Sequence, residues 1–124
     1  MKKILVLDDN PDILDIVQEV LTYEHFTVQT FSHYSGFIDK ALDFKPDAIL
    51  LDYRLDDGDG GELCQELKSH SSLKDTPIIL FSAYLIKNVE VEKFGCDAVI
   101  LKPFDIEDLV AQINSLLNNE SIDC

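Results

Sequence analysis

Positive charge is what this sequence has least of: ten Lys and Arg stand against 24 Asp and Glu, a formal net charge of −14 at pH 7. No basic cluster occurs anywhere along the chain, so a phosphate backbone would be repelled and direct nucleic-acid binding is not expected. Cysteine is sparse as well. Cys64, Cys96 and Cys124 are odd in number and have no CxxC or metal-ligand spacing, which argues against a disulfide framework and fits a reducing compartment. Long apolar runs are missing too. None approaches the ~18 residues of a membrane span, and the opening MKKILVL stops at Asp8, short of the ~7 to 15 apolar residues of an export signal. A cytoplasmic protein with no membrane insertion is the expectation.

What is present is enough for one core. A chain of 124 residues, 46% of them apolar, has the length of a single domain. It is expected to span residues 1–118, leaving 119–124 as a polar tail or the start of a linker. Five short apolar runs recur: ILVL from Ile4, the weaker TVQTF from Thr27, AILL from Ala48, PIILF from Pro77 and AVIL from Ala98. Each is too short for a helix, and four are apolar on both alternations, as strands covered on both faces should be.

Helical patterns lie between them. Ile13, Ile16, Val17, Val20 and Leu21 form one stripe, with Asn10 as N-cap and Pro11 at the first helical position. Ile106, Leu109, Val110, Ile113, Leu116 and Leu117 form another behind the N-cap Asp105. Phe37, Ile38, Ala41 and Leu42 predict a helix ended at Lys45 and Pro46, and Leu63, Cys64 and Leu67 one that begins with capping-box spacing at Asp59 and Glu62. The stretch 85–94 reads as a weaker helix, because its valines alternate as a strand would. Five such alternations predict an α/β fold, a parallel sheet with helices on both faces.

In such a sheet, functional groups gather beyond the carboxyl ends of the strands. Asp8 and Asp9, Asp52, Ser82 and Lys102 each end or directly follow an apolar run. Adjacent carboxylates at the rim of a core either take up a proton or collect a cation. An all-oxygen site with room for water suits Mg2+. Asp52, in a central strand and facing Lys102, is a candidate nucleophile toward a phosphoryl group, with Mg2+ and Lys102 supplying positive charge and Ser82 a hydrogen bond.

These residues, as DD at Asp8 and Asp9, LLDYRL around Asp52, Gly60, FSA around Ser82 and KPF from Lys102, resemble the response-regulator receiver domains of two-component signalling. The resemblance runs from Lys2 to about Leu117. It implies a flavodoxin-like, doubly wound, five-stranded sheet of order 2-1-3-4-5 with five helices. By position, it implies that Asp52 is the phosphoacceptor, Asp9 a direct Mg2+ ligand, Asp8 a ligand through water and Arg54 a ligand through its backbone carbonyl. Ser82 would be the switch hydroxyl, Lys102 the phosphate counter-charge, and the Lys102–Pro103 bond cis. The implied donor is a sensor histidine kinase or a histidine phosphotransfer protein, and the output a downstream protein or an output domain missing from these residues. The domain would be a switch that assists its own phosphorylation and dephosphorylation rather than an enzyme, with the stretch 85–94 moving most.

Three features depart from the family pattern. Val99 stands where an aromatic is usual, Asp56 where proline is common, and Arg54 and Tyr84 flank the site where they would control the approach of water. Rival readings have weaker support. An aspartate-nucleophile phosphatase of the haloacid-dehalogenase type would carry a second acid where Arg54 stands. A flavin or nucleotide module would want a phosphate cradle of Gly, Ser or Thr after the first strand, where Asp8 and Asp9 would repel the phosphate. A receiver-like scaffold that is never phosphorylated is the remaining alternative. The acidic DDGDGG from Asp56 lacks the acid spacing of a calcium loop and reads as a solvated turn.

Overall fold

The computed structural model describes residues 2–55, 58–82, 88–102 and 105–122. Five strands alternate with five helices: β1 (Lys3–Leu7), α1 (Pro11–Tyr23), β2 (Thr27–Phe31), α2 (Phe37–Phe44), β3 (Ala48–Asp52), α3 (Gly60–Lys68), β4 (Ile78–Ser82), α4 (Asn88–Phe94), β5 (Ala98–Leu101) and α5 (Ile106–Ile122). These five form one sheet and are parallel throughout it, in the order β2-β1-β3-β4-β5. This is the predicted doubly wound sheet.

The two-residue period of a strand explains why the apolar runs have no polar side. Ile4, Val6, Ala48, Leu50, Ile79 and Phe81 face α1 and α5, where Val17, Leu21, Leu109 and Ile113 meet them. Their neighbours Leu5, Leu7, Ile49, Leu51, Ile78 and Leu80 face α2, α3 and α4, against Phe37, Ala41, Leu63, Leu67 and Phe94. Such side chains contribute roughly 1.5 to 3 kcal/mol each when fully buried. β2 is the weakest run for a physical reason: it is an edge strand, half-exposed along its length. Cys64 is buried in the second layer, and that burial pushes its thiol up to about 12. It is an inert packing residue; Cys124 lies outside the described residues.

Local signals set the helix ends. The Asn10 side chain accepts from the Asp12 N–H at 2.9 Å, with Pro11 at the first turn. Asp59 accepts from the Gly61 and Glu62 N–H groups at 2.7 and 3.2 Å, and Asp105 from that of Glu107 at 3.0 Å. At the end of α1, Phe26 N–H donates to Leu21 O and His25 N–H to Thr22 O, both at 3.0 Å, with His25 at φ 71°. That is a Schellman turn.

The structure adds three things to the sequence reading. Arg54–Leu55 pairs antiparallel with Gly58–Asp59, so part of the stretch read as a solvated turn is a short ladder. α5 runs on to Ile122, past the boundary drawn at 118. Of the helix expected over 85–94, Asn88–Phe94 is helical, and 85–87 lie outside the described residues. At the end of the sheet away from the candidate site, Lys68 Nζ donates to Thr76 O at 2.7 Å and to Asp97 Oδ2 at 2.9 Å. The same carboxylate oxygen accepts from Ile78 N–H at 2.8 Å, tying α3 to the starts of β4 and β5.

Candidate functional site

The parallel ladders deliver four strand ends to one rim. Asp8 follows β1 directly, and its N–H donates to Phe31 O at 3.1 Å. Its side chain is completely buried. One carboxylate oxygen accepts from the Asn10 N–H at 2.9 Å and the other from Lys102 Nζ at 3.0 Å. Asp52 ends β3 in register with Phe81 of β4, only 6% exposed, and accepts from the same Lys102 Nζ at 3.2 Å. The Arg54 backbone N–H also donates to the Asp52 carboxylate. Lys102 follows β5 and is fixed by its own N–H to Ser82 O at 2.7 Å; Ser82, at the end of β4, is buried.

Asp9 completes the group. One carboxylate oxygen from each of Asp8, Asp9 and Asp52 lies within 4.8 Å of the others. Like charges about 4 Å apart repel by on the order of 4 kcal/mol at an effective dielectric of about 20, and the Lys102 ammonium pairs with two of the three acids. Asp52 responds: burial first, and then the Asp8 charge, push its carboxyl from 3.8 up to about 6, against the pull of Lys102 and the Arg54 N–H. Burial works against the charge on Lys102, but Asp8 and Asp52 together outweigh it and raise its pKa. An all-oxygen donor set with surplus negative charge fits a hard divalent cation.

Asp8, Asp9, Asp52 and Lys102 are thus brought together, and Ser82 reaches the same rim through its backbone bond to Lys102. Arg54 joins through its peptide, while its side chain is exposed and its guanidinium stands 5.8 Å from the centre of the Tyr53 ring. Val99 is half-buried against the second apolar layer. Asp56, Tyr84 and the Lys102–Pro103 bond lie outside the described residues. Two contributors had no chemical role in the sequence reading. One is the Asn10 N–H, hidden because a backbone donor has no letter of its own. The other is the reason for Gly60: its N–H donates to Tyr53 O at 2.8 Å, and a Cβ there would overlap the Asp52 carbonyl. A glycine directly behind an N-cap aspartate was the available signal.

A doubly wound sheet with clustered carboxylates and a lysine at its carboxyl edge defines a class of phosphoryl-handling α/β domains. Within that class, the chain belongs to the response regulator receiver domain family, whose model matches residues 4–114. It is 34% identical over 125 residues to the response regulator ArlR of Staphylococcus aureus, an alignment covering 97% of this chain and 54% of that protein. The chain therefore spans about half the length of the curated relatives it matches. Among solved structures, chemotaxis protein CheY4 of Vibrio cholerae superposes with a TM-score of 0.88 at 25% identity, covering 94% of this chain and 98% of that one. A two-component response regulator from Clostridium difficile gives 0.85 at 25%, covering 95% and 97%. The domain is a phosphoacceptor signalling switch of two-component systems. Among the described residues, no helix is long and apolar enough to cross a membrane.

Proposed function

We propose that Asp52 is the phosphoacceptor and that Asp8, Asp9, Asp52 and the Arg54 backbone carbonyl hold Mg2+. The observation carrying this is the single Lys102 ammonium shared between Asp8 and Asp52 at 3.0 and 3.2 Å, with the Asp9 oxygen alongside. An ionised Asp52 oxygen attacks the phosphorus of a phosphohistidine. The O–P bond forms as the P–N bond breaks, and the bonding pair leaves on the imidazole, which takes a proton from solvent. No general base is needed, because the nucleophile enters without a proton. The task left to the protein is positioning and charge. Lys102 turns from its carboxylates to the incoming phosphoryl oxygens, and the Ser82 hydroxyl donates to them. Mg2+, when bound, supplies further positive charge to those oxygens.

The same groups serve hydrolysis of the acyl phosphate by water, so the domain assists its own phosphorylation and dephosphorylation. The donor is a sensor histidine kinase or a histidine phosphotransfer protein, and the response passes to a downstream protein or an output domain. The location is cytoplasmic, in keeping with cysteines that are few and lack the spacing of a disulfide framework. Incubation with acetyl phosphate and Mg2+ followed by intact mass tests the assignment. One added phosphoryl group, lost in Asp52→Asn, is expected; an unchanged mass, or a gain that survives the substitution, overturns it.

A further inference from the structure

The residue directly after the phosphoacceptor reaches out of the site. Tyr53 is half-buried, and its ring lies against Phe94 in the last turn of α4, with centroids 6.0 Å apart and planes inclined at 47°. Its backbone is held on both sides: the N–H donates to Phe81 O at 2.7 Å, and the carbonyl accepts from Gly60 N–H at 2.8 Å. Phe94 also touches the segment that closes on Asp52 from the other direction. A Cβ on Gly61 would collide with its ring, while Gly60 packs on the Asp52 carbonyl. Both chain segments that grip the phosphoacceptor backbone therefore converge on one side chain. That side chain also holds the last turn of α4 against the core. Phe94 is buried, whereas Val91 is half-buried and Glu92 and Lys93 are exposed, so among the described α4 side chains Phe94 is the sole buried one.

We propose that the Tyr53–Phe94 contact is the link through which a change at Asp52 reaches α4. This rests on phosphorylation of Asp52. A phosphoryl group that draws Lys102 and Ser82 inward also shifts the Asp52 peptide, and Tyr53 cannot follow that shift without moving its ring. A close-packed aromatic contact answers by repacking rather than by stretching. Coupling needs an element that both sites bias, and here that element is the seat of Phe94 between Tyr53 and Gly61.

Hydrogen exchange over residues 88–94, with and without Mg2+ and beryllofluoride, tests the link in the wild type, Tyr53→Phe, Tyr53→Leu and Phe94→Leu. Phosphoryl uptake from acetyl phosphate is followed in parallel by intact mass. The wild type and Tyr53→Phe, which keeps the ring, are expected to change exchange at 88–94. Tyr53→Leu and Phe94→Leu are expected to lose more than half of that change while still gaining the phosphoryl mass. An undiminished response in the leucine variants, or a wild type that gains mass without any change at 88–94, overturns the link. A wild type that gains no mass overturns the Asp52 assignment, and the link falls with it. If Phe94→Leu fails to fold, the half-buried Tyr53 position decides the matter alone.

Discussion

Asp52 must be ionised to act, yet its surroundings favour the protonated form: its pKa is raised from 3.8 to about 6. For a carboxyl whose pKa is raised on folding, the sign is the reverse of that for an acid whose pKa folding lowers. Between about pH 4 and 6 the folded state holds the proton more firmly than the unfolded one, so this residue's contribution to stability falls as pH rises through that window. Asp52→Asn removes the effect. Without divalent cations, the variant is expected to be more stable than the wild type at pH 7.5 by on the order of 1 to 3 kcal/mol, an advantage that vanishes below about pH 4. Urea unfolding at the two pH values checks this, and an equal difference at both would refute it. Lys102→Met does the opposite: it leaves the fully buried Asp8 and the nearly buried Asp52 without their shared cation. Breaking a buried pair on one side costs about 3 kcal/mol, and the same urea titration at neutral pH reads the loss.

At the scale of elements, His25 belongs to no motif in the sequence, yet it has a structural position. It occupies the left-handed residue of the turn that ends α1, at φ 71°, where a side chain costs energy that glycine avoids. His25→Gly is expected to stabilise the domain by about 0.5 to 1 kcal/mol, a few degrees of Tm. A lowered Tm would show that the His25 side chain contributes more than the strain it bears. The position illustrates what sequence could and could not supply. Asn10 with Pro11, Asp59 and Asp105 announced their helices because capping is local, and the apolar runs announced strands because both sheet faces are covered. The short ladder between Arg54–Leu55 and Gly58–Asp59 had no periodicity to read in two-residue strands. Lys68 with Asp97, and Tyr53 with Phe94, meet across 29 and 41 positions, and no spacing rule brings them together. The candidate site was more legible than these contacts, since each of its acids and its lysine sits at the end of a run. Even so, that Lys102 pairs with Asp8 as well as Asp52 follows only from the register.

On the scale of the whole molecule, a net charge of −14 makes any salt stabilising, because self-repulsion is screened. A specific cation must be distinguished from that background. Binding to the folded state alone adds RT ln(1 + [L]/Kd), about 2.7 kcal/mol at a hundredfold excess over Kd. Screening depends on ionic strength and not on any one side chain. Thermal unfolding in MgCl2 should therefore exceed that in NaCl of equal ionic strength, and the excess should disappear in Asp9→Asn. Asp9 is the right position because its carboxylate joins the cluster while Lys102 pairs with the other two acids. Removing it leaves the buried ion pairs intact and takes away one charge in fourteen. A magnesium increment of the same size in Asp9→Asn would assign the effect to general screening and dissolve the case for a metal at this rim.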